Sequence, residues 1–366
     1  TMSVGERQRV EIVRCLLQRP KLLIMDEPTS VLTPQAIERL FATLRQLAAE
    51  GCSILYISHK LDEIRALCER ATVLRDGRVT GDCDPRRESE ASLARMMIGS
   101  DLPQPRHRAA SPGQTLLRID ALSLAADDPF GTSLDNVGLD VRRGEIVGIA
   151  GVSGNGQREL LAALSGERRV RRDAIVIDGA GVGDLGPGAR RARGLAYVPE
   201  ERLGRGAVPE MSLADNALLT AHAQGLTRHG VVRRDATRAY ARATIDAFDV
   251  KAPGPDALAE TLSGGNLQKF ILGREIRQAP KLLVAAQPTW GVDVGAAYAI
   301  RQALIDLRDT GAAVLVVSEE LDELFDICDR IAVIARGRLS PALDVHATDA
   351  ARIGILMAGG DARDAA

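Results

Sequence analysis

Short apolar runs punctuate this chain, each closed by turn residues and separated from the next by a longer stretch with helical spacing. The runs LLIM at Leu22–Met25 and LLVA at Leu282–Ala285 lead into expected helices at Pro34–Glu50 and Gly295–Thr310, after which come ILYIS and VLVVS. Continuous apolar strands that alternate with helices predict a parallel sheet covered on both faces, because strands buried on two sides lose the polar alternation. From Leu116 the pattern changes to short alternating strands, LLRIDALSL and LDNVGLDV. A turn at Arg142–Gly144, an apolar strand EIVGIAG, a glycine-rich turn and a helix at Gln157–Leu164 follow. Then come a glycine-rich insert at Gly179–Gly194, a strand GLAYVPE, and a largely helical stretch from Leu213 to Phe248.

The pattern repeats. Residues 1–79 align without a gap on residues 261–339 at a constant offset of 260, with 26 identities, against roughly six or seven expected from composition. The period is that of a whole domain. Asp101–Gly113, rich in Pro, Arg and Ser, reads as a linker. The expected organisation is therefore residues 1–100 as the C-terminal half of a first unit, 101–113 as linker, 114–345 as a complete second unit and 346–366 as a tail. The second unit runs about 145 residues before its repeated segment, and the first has no counterpart to them, so a fragment lacking its N-terminal half is expected.

Composition narrows the function classes. In 366 residues, 45% of them apolar and with a net charge of −2, nothing suggests the basic stripe of a nucleic-acid binder. The Arg168–Arg172 cluster reads as a solvated loop. Five cysteines without CxxC spacing indicate neither zinc nor a disulfide framework. Cys68 and Cys328 are repeat equivalents among apolar neighbours and read as core packing. No stretch approaches the roughly 20 apolar residues of a membrane span. If the protein serves a membrane, the expectation is service from the cytoplasmic face.

Candidate chemistry lies where the copies differ. The strand from Leu22 ends in Asp26-Glu27, which puts two carboxylates at the carboxyl edge of a parallel sheet, where ligands of such sheets bind. Asp26 suits a magnesium ion, which accepts sparse oxygen ligation beside substrate phosphates, and Glu27 suits polarisation of an attacking water. His59 ends the next strand. In the second copy these three positions are Ala286, Gln287 and Glu319. The turn GVSGNGQRE follows a strand and opens a helix, the setting of a GxxxxGK(S/T) phosphate loop. Gly151, Gly154, Asn155 and Gly156 would turn backbone amides toward a polyphosphate. Gln157 and Arg158, however, replace the lysine and the hydroxyl. LSGGN, with Ser263, Gly264, Gly265 and Asn266, sets a hydroxyl and amides at a helix start, and its repeat equivalent SVGE carries Ser3 and Gly5.

In order, SVGERQRVEI, DEPTSVLTPQ and ISHKLDE, then the glycine loop, YVPEER, LSGGNLQK, AAQPTWGVDVGA and VSEELDE, resemble the tandem ATP-binding subunits of bacterial ABC importers over residues 1–345. The branch serving nucleosides is the most similar, with simple sugars next. The resemblance implies a P-loop NTPase α/β fold with antiparallel β and helical subdomains, ATP and magnesium as ligands, integral-membrane permease subunits as partners with a solute-binding protein acting indirectly, no nucleic acid, and a peripheral place on the cytoplasmic face of the plasma membrane. It also implies composite sites. Asp26, Glu27 and His59 would work with Ser263, Gly264, Gly265 and Asn266. The degenerate group Gln157, Arg158, Ala286, Gln287 and Glu319 would pair with Ser3 and Gly5 and fail to turn over. No aromatic stands near Leu122–Leu124 to stack on adenine, and an acidic pair, Glu200-Glu201, replaces the glutamine expected after GLAYVPE. Trp290 stands where arginine is expected, and Tyr197–Leu219 is the expected docking region. Because no complete phosphate loop occurs in the chain, the isolated chain is expected to be inactive. A soluble ABC protein would need two competent sites and a long charged linker, and a non-hydrolysing remnant is the other alternative.

Overall fold

The computed structural model describes residues 4–18, 20–29, 34–75, 77–99, 112–129, 131–357 and 359. The linker proper and Ser3 lie outside them. Two compact units emerge, Thr1–Gln104 with Asp293–Tyr298, and Pro105–Val292 with Ala299–Ala366.

The second unit is built on a sheet whose neighbouring strands run Leu195–Val198, Leu282–Ala286, Ala313–Ser318, Ile146–Ala150 and Arg330–Ala335, all parallel. Two short strands, Arg338–Leu339 and Leu343–Asp344, pair antiparallel with the last. Every residue of Leu282–Ala286 and Ala313–Ser318 is buried, as continuous apolar runs require. A four-stranded antiparallel sheet, centred on Thr115–Leu124 paired with Leu134–Arg142, supplies Leu117, Ile119 and Val137 to one core with Val284, Leu315, Val317 and Ile334. This is the parallel core that the sequence pattern predicts, with the antiparallel subdomain that the family resemblance implies.

The expected largely helical stretch is two helices with an interruption between them. Helices Leu213–Ala221 and Arg234–Ala247 are separated by a π-turn at His222–Leu226 and a hairpin pairing Thr227–Arg228 with Val231–Val232. Gly225 and Gly230 adopt left-handed backbone there, which no continuing helix accommodates. Helix Gly264–Ile276 packs beside this pair, and its fully buried Arg274 donates to the carbonyls of Gly206 (2.5 Å) and Asn216 (3.1 Å). Arg168 is not simply solvated: it donates to the Ala125 carbonyl at 2.6 Å and pairs with Asp127 at 2.9 Å. Beyond His346 a helix, Ala350–Met357, buries Ile353, Leu356 and Met357. All five cysteines are free; Cys328 is buried, whereas Cys68 is only half-buried.

In the first unit, strand Leu22–Asp26 pairs in parallel with Ser53–Ile57, with Asp26 opposite Ile57. Ala71–Arg75 and Arg78–Cys83 form a separate antiparallel pair. Leu23 and Met25 pack on Leu40 and Leu44 of helix Pro34–Ala49. The opposite face is exposed: Leu22 by 58%, Ile24 by 60%, Leu55 by 53% and Ile57 by 46%. Coverage of both faces, predicted from the apolar runs, therefore holds in the second unit and not in the first, where the described residues place helices on one face alone.

Candidate nucleotide site

The first copy brings its expected groups together. After Asp26 the chain turns sharply: Glu27 has left-handed backbone (φ 43°) and donates its amide to the Ile57 carbonyl at 2.9 Å. That turn aims Glu27 Oε1 at His59 Nδ1, 2.7 Å away, with both side chains only partly exposed. A carboxylate oriented by an imidazole can hold and polarise a water. Asp26 ends its strand exposed, and no cluster of three or more His, Cys, Asp or Glu side chains suited to a metal occurs among the described residues. One carboxylate fits magnesium carried largely by substrate phosphates and does not fit a dedicated protein cage.

The second copy keeps the backbone and changes the groups. Gln287 repeats the left-handed turn (φ 48°) and donates its amide to the Val317 carbonyl at 2.8 Å. Its side-chain oxygen accepts from the Glu319 amide (3.3 Å) and the Ser318 hydroxyl (3.4 Å). Ala286 is buried.

Sequence reasoning missed a tie present in both copies. The Thr29 hydroxyl donates to Glu63 at 2.7 Å, and Thr289 donates to Glu323 at 2.7 Å, with all four residues buried. The signal was available, since the PT and LDE strings survive in both copies at the common offset. Each tie staples the loop after the first strand to the helix after the second. Tyr56 also donates to Glu63, at 2.6 Å, and Lys60 stands 3.8 Å from it. Glutamate replaces that lysine in the second copy, and burial, with the charge of Glu320 added, pushes the Glu323 carboxyl up to about 7.

Ser263 caps helix Gly264–Ile276 by position, yet its hydroxyl accepts from Asn266 at 2.9 Å instead of from the helix backbone. Ser263 and Gly264 are exposed, Gly265 is buried and Asn266 is half-buried, leaving open a helix start able to meet an anion. In the glycine loop, Gly156 (φ 108°) is the N-cap of helix Gln157–Ser165, a conformation few other residues adopt. Arg158 is exposed, and Gln157 folds back onto the loop. Of the first signature, Gly5 lies in helix Val4–Leu17.

A family model described as ABC transporter matches residues 1–30 and 134–290. The glucose import ATP-binding protein of Haloferax volcanii is 44% identical over 98% of this chain and 66% of its own length. The nucleoside import ATP-binding protein of Lactococcus lactis subsp. cremoris is 40% identical over 98% of this chain and 71% of its own. The chain belongs to the ABC transporter family. It spans about two thirds of the length of these ABC relatives. A solved structure titled as the ATP binding subunit of an ABC transporter, 25% identical, superposes with a TM-score of 0.53 over 69% of this chain and 98% of that one. Within this ABC chain, Trp290 packs under Arg202, whose guanidinium lies 5.9 Å from the ring centroid and donates to the Gly291 carbonyl at 3.3 Å. The indole thus links the YVPEER loop to the turn after QPT.

Proposed function

We propose that this chain supplies the ATP-hydrolysing chemistry of an import ATP-binding subunit, with one competent and one degenerate site. The observation that carries the reading is the 2.7 Å pairing of Glu27 with His59 beside Asp26, set against Gln287, Glu319 and Ala286 in the second copy. Glu27 polarises the attacking water, His59 orients that carboxylate, and Asp26 holds magnesium, which supplies charge neutralisation on the phosphates when bound. In this reading Ser263, Gly264, Gly265 and Asn266 form a signature able to meet nucleotide phosphate, and the group around Gln157 and Gln287 does not turn over. No GxxxxGK(S/T) string occurs in the chain, so its isolated form hydrolyses ATP only at background.

The partners in this reading are integral-membrane permease subunits, which a solute-binding protein feeds, at the cytoplasmic face of the membrane. No helix among the described residues is long and apolar enough to cross a membrane. Leu203, Met211 and Leu219 are exposed along Tyr197–Leu219, the stretch that docks the permease in this reading. A nucleoside is the solute favoured by the branch motifs and the Lactococcus relative, while the Haloferax glucose relative favours a sugar. Uptake of radiolabelled uridine and ribose by cells with and without this gene separates them. Loss of uridine uptake alone supports the nucleoside reading, loss of ribose uptake alone replaces it with the sugar reading, and loss of neither overturns both solutes.

A further inference from the structure

The glycine loop of the second copy already contains a ligand, and that ligand is its own side chain. A phosphate loop works because successive backbone amides point into an empty cradle that an anion fills. Here Gln157 stands where a lysine would reach outward to the phosphates, and its amide turns inward instead. Its oxygen accepts from the Asn155 backbone amide at 3.0 Å. Its nitrogen donates to the Val152 carbonyl at 2.8 Å. The Asn155 side chain donates to the same carbonyl at 2.9 Å, while its own oxygen accepts from the Arg336 amide at 2.8 Å. Gly337 and Thr132 bind the loop carbonyls of Asn155 (2.9 Å) and Gly154 (2.6 Å) from outside. A phosphate entering this loop would have to break the bond to Asn155 and leave the Gln157 amide to find new partners, with no lysine at position 157 to meet it in return.

We propose that Gln157 is the resident ligand of the second glycine loop and the residue that denies the loop to nucleotide phosphate. The inference rests on reading residues 151–158 as a phosphate loop, and it goes further than loss of turnover, since it makes the loop unable to bind the triphosphate at all.

Hydrogen exchange of the loop in the full 366-residue chain, with and without 5 mM magnesium-ATP, tests this. In the unmodified chain the Asn155 amide is expected to be protected and magnesium-ATP to change nothing at residues 151–158. Q157A should speed exchange at Asn155 by about tenfold, the scale of one lost hydrogen bond, and the fluorescence of the single tryptophan, Trp290, reports that the unit remains folded. Q157K with R158T should make the loop's exchange slow on adding magnesium-ATP. Protection of the unmodified loop by magnesium-ATP would overturn the inference. So would a Q157A variant, folded by its fluorescence, with unchanged Asn155 exchange. A Q157K/R158T loop silent to nucleotide would overturn it as well, because the amide would then be a cap and not the obstacle. None of these outcomes bears on Glu27 and His59, which ATP hydrolysis by the assembled transporter tests separately.

Discussion

The two copies of the repeated segment share a backbone and differ in what surrounds it. Leu315 and Val317 are completely or almost completely buried, whereas their equivalents Leu55 and Ile57 are about half exposed. The strand residues are nearly the same, so the difference is not written in them; it comes from the layer that the second unit builds from Thr115–Leu124 and Leu134–Arg142. Side chains diverge in the opposite sense. The poorly covered copy keeps Asp26, Glu27 and His59, and the well-packed copy has lost them. The parallel register, the left-handed turn and the Thr–Glu tie are common to both copies.

The comparison breaks most severely at Glu27. Glu27→Gln should lower ATP turnover of the assembled transporter by about 10²–10⁴-fold, the usual scale for a positioned base, while Gln287→Ala should leave it essentially unchanged; equal losses in the steady-state assay would refute the assignment of one competent site. Next is burial. Leu315→Ala should cost about 2–5 kcal/mol and Leu55→Ala less than about 1 kcal/mol in urea unfolding of the 366-residue chain followed by circular dichroism, and similar costs would mean the first sheet is covered after all.

The charge swap at Lys60 and Glu320 gives a pH test. The Glu323 carboxyl is raised in the folded chain, to about 7, so the folded state binds its proton more tightly than the unfolded state does. Its contribution is fully present below the unfolded value near 4.5 and is lost as pH rises through 7, a decline of roughly 3 kcal/mol. Glu323→Gln should flatten that slope between pH 5 and 8, and Glu320→Lys should move its midpoint downward, as measured by Trp290 fluorescence in urea. An unaltered slope in Glu323→Gln would assign the decline to other groups. A further contrast lies in the paired turn glycines. Gly77 and Gly337 both have left-handed backbone, but an added Cβ meets nothing at Gly77 and the Ser133 carbonyl at 1.9 Å at Gly337. Gly77→Ala should cost about 1 kcal/mol, and Gly337→Ala distinctly more in the same denaturation assay.

The order of strands and helices was legible because apolar runs and helical spacing carry it locally. The pairing of Glu27 with His59 was legible only as motif company, and its 2.7 Å geometry required the parallel register of Asp26 on Ile57. The Thr29–Glu63 tie escaped because two short strings, distant in the chain, meet only through that register. Exposure of Leu22 and Ile24 escaped for a different reason: whether an apolar strand is covered depends on other segments. In the sequence Gln157 marks only a missing lysine, because its inward hydrogen bonds depend on a rotamer the sequence does not display.

Gln287 keeps a backbone conformation that non-glycine residues adopt at a cost on the order of 1–3 kcal/mol, although the carboxylate that such a turn aims in the first copy is absent. The turn is therefore an imprint that the fold preserves without the carboxylate, and glycine at position 287 would relax the backbone at the expense of the side-chain bonds to Ser318 and Glu319.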